Sequence, residues 1–260
     1  MRVAITGAAG RIGRCLMPGL AGAGHDVRGI DVVRPDESWA DRVIVADLGS
    51  DDAALTKVLT DADAVVHLAA IAGETDFATA LDTHLRLTHR VLEGARAHGV
   101  GRVVYASSNH AVGFTPRESM VPIDTRPRPD TYYGFGKAAA EALCSLFHDR
   151  HGLAVACLRI GSFREQPTTR RELSTWLSPG DAIRLVNACL QTANLGFAVI
   201  YGISKNTRRW WDDAPGRAIG YEPMDDAEHW AADIEAIPPS DDDELDGRHI
   251  GGPFARSPSP

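Results

Sequence analysis

"ITGAAGRIG", residues 5–13, decides the fold of this 260-residue chain. A short β-branched run, RVAIT, stops at a turn holding Gly7 and Gly10, and a helical pattern starts through Gly13. In that context each glycine has its own steric reason. Gly7 permits the tight turn, Gly10 lets backbone approach a diphosphate, and Gly13 lets the helix pack close on the strand. The helix N-terminus would present N–H groups and a positive dipole end to the phosphates, with Arg11 and Ile12 flanking them. Glycines also occur in ordinary turns before helices, so a second signal is needed, and Asp31 provides it. Asp31 closes the second strand 18 positions after Gly13, near the roughly 20 at which a carboxylate accepts from an adenosine ribose diol. A carboxylate there repels a 2′-phosphate, which favours NAD over NADP, while Arg34 keeps NADP open as a minority option. Asp47 and Leu48, ending the third strand, would lie near the adenine, although an Asp there is also a common turn former.

Outward from this unit, apolar strands alternate with amphipathic helices: HDVRGID, RVIVAD, AVVHLAA and a helix ending near ARAHG, then GRVVYAS, a helix after RPRPD, LAVACLRI, a helix at 180–191, and FAVIY. That alternation implies βαβ units and an α/β fold, a Rossmann-type doubly wound parallel sheet. The expected core is 1–160, completed by the helix and strand near 180–201. The stretches from Gly161 to Pro179 and beyond Gly202 break the rhythm and carry Trp176, Trp210 and Trp211. We expect these segments of 161–260 to form a small C-terminal substrate lobe over the carboxyl edge of the sheet, all within one compact unit. The acidic run PPSDDDELDG reads as a solvated tail, since a calcium loop would need spaced ligands around an internal glycine.

The net charge of −8 argues against a nucleic-acid surface. Four scattered cysteines, Cys15, Cys144, Cys157 and Cys189, form no CxxC pair, so no metal site is expected and a reducing compartment fits. With no signal-peptide pattern and no run near the roughly 18 apolar residues of a membrane span, the expected setting is cytoplasmic. The amphipathic helices could pack on the core or on a second copy, so a homo-oligomer stays open.

"YASSNHAVGF", 105–114, ends a strand with four hydrogen-bonding side chains in a row, and "DTYYGFGKAAAEAL", 130–143, starts a helix at Asp130 or Thr131. Tyr133 and Lys137 are four apart and share a face, whereas Tyr132 and Lys137 do not. Gly134 and Gly136 cost this helix about 1 kcal/mol each relative to Ala, which implies a close approach on that side. A phenol of ordinary pKa about 10 is a poor base at neutral pH, but a nearby ammonium and an oxidised nicotinamide favour phenolate. Tyr133 would then take a substrate hydroxyl proton while hydride leaves the same carbon, with Ser108 holding that hydroxyl in line. His148 and His151, near the helix end, are read as complementing its dipole.

The Gly-x-x-Gly-x-x-Gly turn, the Ser ending strand five and Tyr-x-x-x-Lys resemble the extended short-chain dehydrogenase/reductase superfamily over the first 160 residues or so. "ASSNHAVG", "LRIGSF", "RELSTW" and "RWWDD" are similar to the uronate dehydrogenases over nearly the whole chain. The resemblance implies NAD-dependent oxidation of D-glucuronate or D-galacturonate at C1 to an aldarolactone. It also implies that Ser108, Asn109, His110, Ser162 and Arg171 bind the sugar acid, that Tyr133 and Lys137 are the catalytic pair, and that Ile160 lies beside the nicotinamide. An arginine fork suits a carboxylate in a protein of this net charge. The chain departs from the pattern at Ala72, where the family often has serine, and at His84, where an asparagine is common. Two rivals carry the same residues: a nucleotide-sugar epimerase or dehydratase with retained NAD, and a non-catalytic dinucleotide sensor. The first usually needs a larger carboxyl-terminal domain, and the second needs no Ser108, Tyr133 or Lys137.

Overall fold

The computed structural model describes residues 1–117, 120–240, 243 and 248–255. In chain order these form β1 (Arg2–Thr6), α1 (Arg11–Gly22), β2 (Asp26–Asp31), β3 (Val43–Val45), α2 (Asp52–Leu59), β4 (Ala64–His67), α3 (Phe77–Ala80), a π-helical turn (Leu81–Arg86), α4 (Leu87–Ala97), β5 (Arg102–Ser108), α5 (Tyr132–His151) and β6 (Ala154–Ile160). There follow β7 (Ser162–Phe163), α6 (Glu172–Thr175), β8 (Trp176–Leu177), α7 (Pro179–Gln191), β9 (Phe197–Gly202), α8 (Ala214–Ala218) and α9 (Ala231–Glu235). Apart from residue 243, the segment 241–247 of the acidic run lies outside the described residues.

The sheet is wholly parallel in the order β3-β2-β1-β4-β5-β6-β9. It is buried on both faces, which is why its strands read as continuous apolar runs. On one face α1 and α7 contribute Leu16, Leu20, Leu185 and Val186. On the other α2, α4 and α5 contribute Val58, Leu59, Val91, Leu92 and Phe147. The chain reverses its direction of strand addition between β1 and β4, so a crevice opens at their carboxyl ends. The Gly7 turn, the end of β4 and the end of β5 all meet there.

Two features differ from the sequence reading. The β3–β4 connection holds α2, whose N-cap Asp51 accepts from the Ala54 N–H; its eight residues are too few to display a helical period clearly. The helix expected after β4 is continuous only from Leu87, because α3 and the π turn precede it.

After Gly161 the chain builds over the carboxyl edge. The small β7–β8 pair lies beside two satellite cores, one of Tyr201, Ile203, Trp210, Trp211 and Ile250 and one of Leu173, Trp176, Ala227 and Ile234. Residues 248–255 form a strap tied by backbone bonds from Ile250 to Thr115 and from Gly251 to Gly113. Among the described residues no helix is long and apolar enough to cross a membrane.

Candidate active site

The glycine turn has the geometry its spacing implies. Gly7 has φ +73°, and a Cβ on Gly13 would stand 2.3 Å from the Gly7 carbonyl oxygen. α1 therefore begins directly against backbone. Asp31 is stitched to the same turn: the Ala9 N–H donates to its Oδ2 at 2.9 Å and the Val33 N–H to its Oδ1 at 3.1 Å. Asp31, Asp47, Leu48, Val32 and Val33 line a cleft of about 450 Å³. Asp47 also shapes its own turn by accepting from the Gly49 N–H and the Ser50 hydroxyl, as a turn-forming Asp does. Arg34 is exposed and pairs with Asp41 at 3.7 Å.

Through Gly7 and Gly10 the cleft joins a second cavity of about 560 Å³. Its lining includes Arg11, Ile12, Gly13, Ala72, Ser108, Asn109, His110, Tyr133, Lys137, Ile160 and Ser162. The residues fit a dinucleotide: a side-chain-free cradle under a helix N-terminus, a carboxylate at one end and a basic side chain, Lys137, at the other.

α5 places Tyr133 and Lys137. Thr131 is its N-cap, accepting from the Gly134 N–H at 3.0 Å. The Glu74 carboxylate accepts from the Tyr132 and Tyr133 N–H groups, each at 3.1 Å, satisfying orphan donors and complementing the helix dipole. The close approach implied by Gly134 and Gly136 comes from the protein itself. A Cβ on Gly134 would lie 2.3 Å from the His110 carbonyl oxygen, and one on Gly136 would lie 2.8 Å from the His84 Cβ. Lys137 is buried, and its Nζ donates to the Ala106 carbonyl at 2.6 Å and sits 5.6 Å from the Tyr133 ring centre.

Burial raises the Tyr133 phenol above its ordinary pKa of 10.0; a hydrogen bond with Ser108 acts against this and the Asp130 charge adds to it. The lowering expected from Lys137 does not act on the phenol in the protein alone, where removing a phenolate from water is the largest effect. Burial likewise lowers Lys137 to about 8, against the pull of Glu141.

The rest of the cavity is assembled from distant segments. His110 Nδ1 donates to Asp130 Oδ2 at 2.7 Å, leaving Nε2 for a ligand, and its ring stacks on Phe254 of the strap at 4.5 Å. Ser162 Oγ shares a hydrogen bond with Thr175 at 2.9 Å. Asn109 Nδ2 donates to the Ile250 carbonyl at 3.4 Å. Arg171 does not line the cavity: its Nη2 donates to that same Ile250 carbonyl, and its guanidinium lies 5.7 Å from the Trp210 ring. It therefore meets Asn109 on one carbonyl of the strap. Ser107, unassigned in sequence, donates to Glu141, which also receives Arg159 in a buried pair. His148 bonds the Leu153 carbonyl beyond its helix. Sequence reasoning missed Asp130 as the partner of His110, Glu74 as the anchor of α5, and Phe254 as part of the cavity wall.

Comparison with known proteins matches the chain to a family. Residues 3–164 match the NAD dependent epimerase/dehydratase family. The uronate dehydrogenase of Pseudomonas syringae is 35% identical over 98% of this chain and 94% of its own length. The chain belongs to the uronate dehydrogenase family. Among solved structures, a variant of the Agrobacterium tumefaciens uronate dehydrogenase complexed with NAD is 34% identical, with a TM-score of 0.92 over 99% of this chain and 97% of that one. The glucuronic acid dehydrogenase of Chromohalobacter salexigens is 33% identical, with a TM-score of 0.93 over 100% and 98%. The fold expected from the sequence is the fold of this family, and NAD is its cofactor. Ala72 brings a methyl group to the cavity wall, and His84 is buried behind Tyr133.

Proposed function

We propose that this protein oxidises a hexuronate, D-glucuronate or D-galacturonate, at C1 to the aldarolactone. The observation that carries this reading is the single cavity holding Ser108, Tyr133 and Lys137 at one end and the Gly7–Gly13 turn at the other. Ser108 orients the C1 hydroxyl, and Tyr133 removes its proton as the C1–O bond becomes a carbonyl. Bound NAD supplies the hydride acceptor and a positive charge beside the phenol. The ammonium of Lys137, fixed on the Ala106 carbonyl, favours the phenolate and is placed to hold the nicotinamide ribose. His110, held by Asp130, and Asn109 and Ser162 present donors and acceptors to the ring hydroxyls. Arg171 supplies the counter-charge for the carboxylate, its fork of donors serving the acid as well as the Ile250 carbonyl. The four cysteines are free thiols, which suits a reducing, cytoplasmic setting.

The test is absorbance of NADH on mixing protein and NAD with glucuronate, galacturonate or their neutral parent sugars. Multiple-turnover NADH formation with the acids supports the reading. NADH that stays bound, or no NADH at all, overturns it in favour of the epimerase or sensor.

A further inference from the structure

Arg164 directly follows β7 and lines the same cavity as the glycine turn. Phe163, just before it, sits in a small apolar cluster with Leu177 and Ala182, and Ile12 and Cys15 of α1 pack against that cluster. Burial, and after it the charge of Glu165, raises the Cys15 thiol to about 11, so the residues on both sides of Arg164 lie along the start of α1. A helix start of this kind is where backbone N–H groups meet a diphosphate.

The arginine is fixed in place. Its carbonyl accepts from Trp176 Nε1 at 2.8 Å, and its N–H donates to the Leu177 carbonyl at 3.4 Å. Its Nε donates to Glu172 Oε1 at 2.5 Å. Glu172 is itself buried, and its other oxygen accepts from the Thr168 N–H and hydroxyl at 2.7 and 3.0 Å. Half of the Arg164 side chain is nevertheless exposed, and among the described residues neither of its Nη groups donates a hydrogen bond. A buried carboxylate thus holds one edge of the guanidinium and leaves two nitrogens for an anion, a fork that suits phosphate oxygens.

The surroundings select the anion. The cavity lining carries Arg11, Lys137 and Arg164 against the carboxylate of Glu172, in a chain of net charge −8. Arg164 is absent from the lining of the cleft around Asp31 and Asp47, whereas Ile160 and Ser162 share its own cavity. We propose that Arg164 is a clasp for the diphosphate of NAD: held through Nε by Glu172, it donates through its Nη groups to the phosphate on the nicotinamide side. This rests on the dinucleotide site and not on the identity of the sugar.

The test is isothermal titration of ADP-ribose and of AMP into the full-length protein and its Arg164→Gln and Arg164→Lys variants. ADP-ribose carries both phosphates, and AMP carries only the one on the adenosine side. Arg164→Gln should weaken ADP-ribose about tenfold and leave AMP within about twofold. Arg164→Lys, which keeps the charge and loses the fork, should fall between, at about threefold. ADP-ribose affinity unchanged in both variants overturns the proposal, and a raised KM for glucuronate beside it assigns the guanidinium to the sugar carboxylate instead. Equal losses of AMP and ADP-ribose also overturn it, because they mean that Arg164 only supports its loop. If the unaltered protein oxidises no uronate, the proposed function fails while the two titrations still decide the role of Arg164.

Discussion

The two halves of the cavity are built on opposite principles. The dinucleotide half is one contiguous β1–turn–α1 unit whose decisive property is missing side chains: a Cβ on Gly7 would lie 2.8 Å from the Ala69 nitrogen, and one on Gly13 2.3 Å from the Gly7 oxygen. The sugar half is made of side chains brought together from 108–110, 130–133, 162 and 250–254, tied through Asp130, Ile250 and Phe254. Sterics govern the first and hydrogen-bond connectivity the second, so the two should fail separately when altered.

The largest separation comes from Tyr133→Phe. It removes the proton acceptor while leaving the cradle intact, so turnover should fall about a thousandfold, within the range for losing a general base, with NAD affinity preserved in a fluorescence titration. Gly13→Ala is the converse. The added methyl meets backbone oxygens of Gly7 and Ala8 at 2.3 and 2.6 Å, contacts that no rotamer change relieves, at a cost of about 1–3 kcal/mol. NAD affinity should drop more than about tenfold, while kcat at saturating NAD changes little.

This division also explains what could be read from the chain. Gly7, Gly10, Gly13 and Asp31 are legible because adjacent residues on a strand, turn and helix carry the whole geometry. Tyr133 and Lys137 are legible because a helix fixes their spacing. The setting of Asp130 and Phe254 is not, since nothing local indicates that a buried carboxylate will meet His110, or that a ring 144 positions later will stack on it. The short α2 and the π turn escaped for a related reason: eight and six residues do not establish a period. Arg171 shows the limit of transferring a role by resemblance, because its position is set by the strap as well as by any ligand.

Acid should strain both halves through two buried histidines. His67, under the glycine turn, bonds Thr6 and Thr88 at 2.7 and 3.1 Å, and burial together with the Lys137 charge lowers its pKa to about 3, as it does for His84. Below about 6.5 the unfolded chain binds these protons and the folded one does not, so stability falls as pH drops from about 6.5 toward 3, by up to about 1.4 kcal/mol per pH unit for each histidine. Urea unfolding at pH 7.5 and 5.5, chosen to straddle about 6.5, should show this loss, and His67→Gln should remove about half the slope. An unchanged slope would mean that His67 is not held neutral. Within the sugar half, Asp130→Asn removes the charge that fixes His110. It should lower kcat/KM for the uronate about tenfold, the equivalent of roughly 1.4 kcal/mol, without altering NAD affinity.

The smallest effect separates two roles of a single side chain. Arg171 reaches the Ile250 carbonyl through Nη2, the same oxygen that receives Asn109. A guanidinium can serve that carbonyl and a substrate carboxylate together, because its five donors lie in a fixed fork. A lysine ammonium is a point charge and cannot reproduce the bidentate geometry. If Arg171 is a carboxylate clamp, Arg171→Lys should lower kcat/KM about fivefold for glucuronate and galacturonate and leave any slow oxidation of the neutral parent sugars unchanged. If it only latches the strap, the loss should be equal for acids and neutral sugars, because a displaced Phe254 and His110 affect every sugar alike. The ratio of acid to neutral rates, measured in one variant, therefore tells whether the carboxylate is recognised by a side chain of the cavity wall or by one reaching in from behind it.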